Sequence, residues 1–117
     1  MVDNILKDTE EAYRHHKPTF EFDLFNGELC YIAKVVVESK IPPPGEVDIS
    51  LSNTPQGPWR SVLREKSRHD DKNEFVLPGE QYSKYLQIKF LNNKYGGNFV
   101  GIRYLYIKGL KKTQIMA

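Results

Sequence analysis

A chain of 117 residues holds one domain with a real core and leaves no room for a second. Hydrophobic residues at 39%, charged at 27% and aromatic at 12% describe a globular chain, and no apolar run nears the roughly 20 residues that span a bilayer. Seventeen basic against fifteen acidic residues leave a net charge of +2, too small for the broad field that gathers nucleic acid.

Residues 3–12 (DNILKDTEEA) suit a short helical turn or an irregular arm, capped by Asp3 or Asn4 and anchored by Ile5 and Leu6. The start is acidic and polar, unlike a secretion signal. A loop, YRHHKP, follows over 13–18, so that 1–18 reads as an N-terminal arm and loop. From Thr19 a period of two takes over: Phe20, Phe22 and Leu24 face one way, and Thr19, Glu21 and Asp23 the other. Asn26-Gly27 is the strongest short hairpin signal in the chain.

A second strand covers 29–38, with Ala33, Val35 and Val37 on the expected core face. Its opening residue, Cys30, is the only cysteine and therefore excludes an internal disulfide. It reads as a small core residue rather than a nucleophile. Pro42, Pro43 and Pro44 make a rigid connector that cannot pair in a sheet, released by Gly45.

Val47, Ile49 and Leu51 alternate cleanly with polar neighbours, residues 53–58 (NTPQGP) form a turn, and 59–64 resume as a strand. A polar loop over 67–73, a short strand over 74–77 and a Pro78-Gly79 turn lead to the last pair. That pair is 84–90 and 99–108, joined by the Asn- and Gly-rich stretch 92–98 and followed by a tail, 111–117, that begins Lys111-Lys112. Helical periodicity is absent after the first dozen residues. About seven strands, separated by turns, predict an all-β fold, an antiparallel β-sandwich spanning 1–117 as a single domain.

Several stretches resemble discoidin-like domains, also known as coagulation-factor type C or galactose-binding-like domains. GEVDISLSNTPQGPWRSV (45–62) is similar to their central segment, and KYLQIKFLNN with IRYLYIKG to their closing strands. DNILKD and PTFEFDL resemble the segments near their start. Among intracellular members the closing stretch looks most like muskelin-type, Doc-homology and SUN-type sandwiches. The chain departs from the pattern in three ways. Tyr13 stands where many members carry tryptophan, the strand that opens the family's fold is reduced or absent, and the terminal cysteine pair is missing. The resemblance implies a jelly-roll sandwich that binds rather than catalyses, with ligands held on loops at one end. The absent opening strand raises the expectation of strand donation by a partner.

Strand parity locates that end without any family. If successive strands run up and down, the loops 13–18, 39–45, 65–73 and 92–98 gather at one end, and 25–28, 52–58 and 78–83 at the other. The first end holds Tyr13, Arg14, His15 and His16, then Arg68 and His69, then Asn93, Lys94, Tyr95 and Asn98. Aromatic platforms beside cationic and amide donors suit a sugar, a phosphate or an acidic peptide. These ten residues are the expected binding set. A packed tyrosine beside a solvated basic turn is the structural alternative.

The three histidines lack metal-ligand spacing, and no metal or cofactor is expected. No Gly-x-Ser-x-Gly, phosphate loop, His-Glu-x-x-His or Cys-x-x-Cys is present, so the chain is not expected to be an enzyme. The leading expectation is a non-enzymatic module that docks a protein partner within a larger intracellular assembly, with a cytoplasmic location expected from its lone cysteine and polar start. A carbohydrate or anionic head-group binder is the first alternative, and a nucleic-acid end-binding scaffold the second.

Overall fold

The computed structural model describes the backbone of residues 3–16, 19–24 and 26–111, and the side chains of 19–24 and 26–110. These residues form eight strands: β1 (Asp3–His16), β2 (Thr19–Asp23), β3 (Cys30–Lys40), β4 (Glu46–Ser52), β5 (Arg60–Lys66), β6 (Lys72–Ser83), β7 (Tyr85–Phe90) and β8 (Phe99–Lys111). Two four-stranded antiparallel sheets result, in the orders β1-β8-β3-β6 and β2-β7-β4-β5. This is the expected antiparallel sandwich in jelly-roll form.

The inward faces follow the alternation read from the sequence. Val47, Ile49 and Leu51 of β4 meet Leu86, Ile88 and Phe90 of β7 within one sheet, and Val35, Val37, Leu105 and Ile107 face them from the other. Phe20 packs edge-on against Phe90, with ring centroids 6.1 Å apart. Buried aliphatic and aromatic surface of this kind is the main stabilising term of the fold.

Long-range pairing overrides four local expectations. Residues 3–12 are neither a helical turn nor an arm, because their backbone pairs with β8 as part of β1, from Asp3 opposite Gly109 to His16 opposite Phe99. The edge beside β8 is thus filled by the chain's own strand. The last two strands do not pair with each other: β7 lies between β2 and β4, and β8 between β1 and β3. Asn26 and Gly27 do adopt the left-handed turn, at φ 50° and 82°, but the strands it joins belong to different sheets. Pro78-Gly79 is not a turn between strands. It lies in a bulge inside β6, where Ile32 pairs with Gln81 and Lys34 with Val76. An edge strand tolerates this, since its outer side needs no ladder hydrogen bonds. The same irregularity removes Ala33 from the core face and gives the place to Ile32.

Of the seven connections, only that between β4 and β5 stays within a sheet. All neighbouring strands are antiparallel, so the eight strands alternate in direction and the loops divide by parity. Loops 41–45, 67–71 and 91–98 share one end with the close of β1 and the start of β2.

Cys30 is buried, with its Sγ 3.4 Å from the Ser83 carbonyl, and burial pushes its thiol from the ordinary 9.0 up to about 12. A thiol reagent at pH 8 should therefore leave the folded chain unmodified and react only after denaturant is added. The folded state holds this proton more tightly than the unfolded chain does, so its contribution is full below pH 9 and is lost as the pH rises towards 12. Urea titrations of Cys30→Ala should lack that part of the alkaline loss of stability.

Candidate functional site

Four consecutive carbonyls tie the loop-rich end together. Pro42 O accepts from Gly101 N at 2.7 Å, and Pro43 O from Lys94 N at 2.9 Å. Pro44 O accepts from the Ser67 hydroxyl, and Gly45 O from Ser67 N at 2.7 Å. Prolines lack an N–H but keep the carbonyl, so the triplet serves as an acceptor rail for three other segments. The expectation that it cannot pair is thus corrected, since Pro44 even forms a bridge with Asn93.

Gly45 completes the clasp by donating its N–H to Asn92 O at 2.9 Å. A β-carbon on Gly45 would stand 2.5 Å from the Asn93 carbonyl oxygen, so only glycine permits this approach.

Two asparagines shape the loops from within. Asn93 Oδ1 accepts from Tyr95 N at 2.8 Å and Gly97 N at 2.9 Å, while its Nδ2 donates to Phe99 O at 2.9 Å. Asn73, at 3% exposure, accepts from Arg68 N and His69 N and donates to His69 O. Both act as folded-in turn templates.

The scaffold leaves two adjoining clefts. One, of about 250 Å³, is lined by Glu46, Lys66, Ser67, Asn92, Asn93 and Lys94 among others. The other, of about 450 Å³, lies beside it against Glu65, Lys66, Arg68, His69, Lys72 and Glu74. Lys66 forms a wall of both. The carboxylates are engaged: Arg64 reaches Glu46 at 2.9 Å, Lys34 reaches Glu74 at 3.0 Å, and Arg68 stands 3.8 Å from Glu65. Lys34 holds the Glu74 carboxyl below its usual value by hydrogen bond and charge. Lys94 bonds Asp70, which raises the ammonium pKa and ties loop 91–98 to loop 67–71.

Tyr95 is 72% exposed at the tip of its loop. Ile41 and Phe99, at 75% and 51%, are further large apolar side chains exposed at this end.

The structure thus gathers Arg68, His69, Asn93, Lys94, Tyr95 and Asn98 at one end, with Asn93 turned inward as a loop template. The backbone of Tyr13, Arg14, His15 and His16 reaches the same end opposite Ile102, Gly101, Val100 and Phe99. Their side chains lie outside the described residues, as do Lys17, Pro18 and the tail beyond Lys111. Sequence reasoning missed Ile41 and Phe99 as exposed apolar residues, and it left Lys66 and Lys72, both inside the 65–73 loop it placed at this end, out of the binding set. Ile41 did carry a signal, an aliphatic residue stranded between a strand end and three prolines. Trp59 lies half-buried at the opposite end, with a packing role beside Gly57. Among the described residues no group of three His, Cys, Asp or Glu side chains is placed to hold a metal ion.

No family model matches the sequence, and no curated protein matches it significantly. Solved structures do match. The C-terminal domain of a chitobiase from Bacteroides fragilis superposes with a TM-score of 0.63 at 15% identity, over 80% of this chain and 63% of that one. A CBM32 module from Clostridium perfringens gives 0.63 at 14% identity, over 89% and 91%. The CBM32 of AlyQ, solved in complex with 4,5-unsaturated mannuronic acid, gives 0.64 at 16% identity, over 82% and 74%. The chain spans just under two thirds of the chitobiase domain. It has the discoidin-like, galactose-binding-like sandwich fold that these modules share.

The clasp makes two predictions. Gly45→Ala should lower stability by about 1–3 kcal/mol in urea unfolding, because the extra methyl meets backbone that cannot move aside cheaply. Asn93→Ala should speed amide hydrogen exchange at Tyr95 and Gly97 while leaving the exchange of β4 and β7 amides unchanged.

Proposed function

We propose that the chain is a non-catalytic carbohydrate-binding module whose ligand sits at the end formed by loops 41–45, 67–71 and 91–98. The observation that carries this reading is Tyr95, an exposed ring on a loop whose geometry Asn93 fixes and whose neighbouring residues, Asn93, Lys94 and Gly96, line a polar cleft. A sugar needs an apolar face to stack on and several donors and acceptors for its hydroxyls, and a loop fixed in advance loses little entropy on binding. Lys66 and Lys94 supply donors in that cleft, and Glu46 supplies an acceptor. The fold shared with CBM32 modules supports the same reading.

Docking of a protein partner on this end is the second reading. The observation that favours it is the exposure of Ile41, Tyr95 and Phe99 together, since clustered large apolar side chains mark interaction surfaces.

A thermal-shift screen against mono- and oligosaccharides tests the first reading. A sugar present at 100 times its Kd should add about 2.7 kcal/mol of stability by mass action. Tyr95→Ala should weaken the best hit at least about 10-fold, which is roughly 1.4 kcal/mol. Gln56→Ala, in the turn at the opposite end, should leave it unchanged. No shift with any sugar, or equal loss from both variants, would overturn the proposal.

A further inference from the structure

We infer that the ligand is an acidic carbohydrate, whose carboxylate or sulfate ester sits in the 450 Å³ cleft between the end of β5 and the start of β6. This deepens the glycan reading above and rests on it. The cleft brings Lys66, Arg68, His69 and Lys72 around one concavity. Its two carboxylates offset the group only in part: Glu65 faces Arg68, while Glu74 is held first by Lys34 from across the sheet and feels the Lys72 charge more weakly. Among the described residues no carboxylate stands within ion-pair distance of Lys66, His69 or Lys72. Neighbouring Asp70 is also paired, with Lys94, while Asp71 lies outside the lining of the cleft and accepts the backbone N–H of Lys72.

The geometry is set in advance of any ligand. Asn73 binds both backbone N–H groups of Arg68 and His69 and the carbonyl of His69, so these two side chains leave a fixed loop. An anion binding there meets charges whose placement costs no rearrangement of the main chain. Lys66 is common to this cleft and to the smaller one near Tyr95. A sugar ring in the smaller cleft thus projects an acidic substituent past Lys66 into the larger. A neutral sugar would leave the ammonium groups of Lys66 and Lys72 to water.

The test uses the full chain and calorimetric titration with matched tetrasaccharides: galacturonate against galactose, mannuronate against mannose, glucuronate against glucose, and a sulfated galactose tetramer. The acidic member of at least one pair should bind about 10-fold tighter than its neutral partner, and the gap should close at roughly 0.5 M salt as charges are screened. Whether carboxylate or sulfate binds tighter identifies the acidic group. In Lys66→Gln/Lys72→Gln the acidic-to-neutral ratio should fall below about 2-fold. If that double variant fails to fold by far-UV circular dichroism, Lys72→Gln alone should at least halve the ratio.

Equal binding of acidic and neutral partners would overturn this inference while leaving the glycan reading in place. A ratio that survives the substitutions would also overturn it. An oligothymidylate that binds as tightly as the acidic sugars would overturn it too, marking a general polyanion surface. Binding of none of the sugars would bring down the glycan reading itself.

Discussion

The loop-rich end depends on the carbonyls of Pro42, Pro43, Pro44 and Gly45. Loops between strands of opposite sheets have no ladder to hold them, and a loop with unmet backbone groups stays mobile or exposed. Here each carbonyl of the run meets a donor from elsewhere in the chain: β8, loop 91–98 and, twice, Ser67. Proline suits the role because its ring fixes the direction of the run and it has no N–H left to satisfy. Glycine at its end suits it for the opposite reason, as the one residue that lets Asn92 and Asn93 approach. Stiffness and close approach are needed at adjacent positions, and Pro-Pro-Pro-Gly provides both.

The jelly-roll topology explains why one interaction can matter so much. Because six of the seven connections cross between sheets, each loop at this end starts in one layer and finishes in the other. Joining three such loops also joins the two sheets at their rim, in addition to the core between them. The Lys94–Asp70 pair adds a further tie between two of these loops, and the Ser39 N to Asp71 O hydrogen bond extends the β3–β6 ladder to the same rim. An exposed ion pair alone contributes little to stability. Its value here is positional, since it fixes the base of the loop that presents Tyr95.

Much of the fold was legible in the sequence because its cues were local. Alternation in β2, β4 and β7 gave their core faces, and the turn residues gave most of the loops, which was enough for parity to find the right end. What was not legible depended on partners far along the chain. Residues 3–12 lack alternation, with Ile5 and Leu6 side by side, and only β8 makes a strand of them. The register shift at Ala33 depends on the bulge in β6 around Pro78 and Gly79, some forty-five residues later. The same division holds at the site. Tyr95, Lys94, Arg68 and His69 were found because they sit in polar loops. Lys66 and Lys72 fell in the same 65–73 loop but were left out of the binding set, since composition does not show that the end of β5 and the start of β6 bring them to one cleft. Asn93 was found as a site residue, but its three hydrogen bonds to its own loop cannot be read from composition.

A net charge of +2 suggests a chain indifferent to anions, yet overall charge says little about a cleft a few ångströms across. Beyond about 8 Å at physiological ionic strength, exposed charges are largely screened, so a bound group responds only to its near neighbours. What matters is how the acids are distributed. Around the larger cleft, Glu74 faces Lys34 on β3, Asp70 faces Lys94 on loop 91–98, and Glu65 faces Arg68. Each pair matches a carboxylate to a cation of its own, and none of the four ion pairs among the described residues uses Lys66 or Lys72. The near balance of seventeen basic and fifteen acidic residues is therefore compatible with a locally cationic pocket, because Lys66 and Lys72 line the cleft without an ion-pair partner among the described residues.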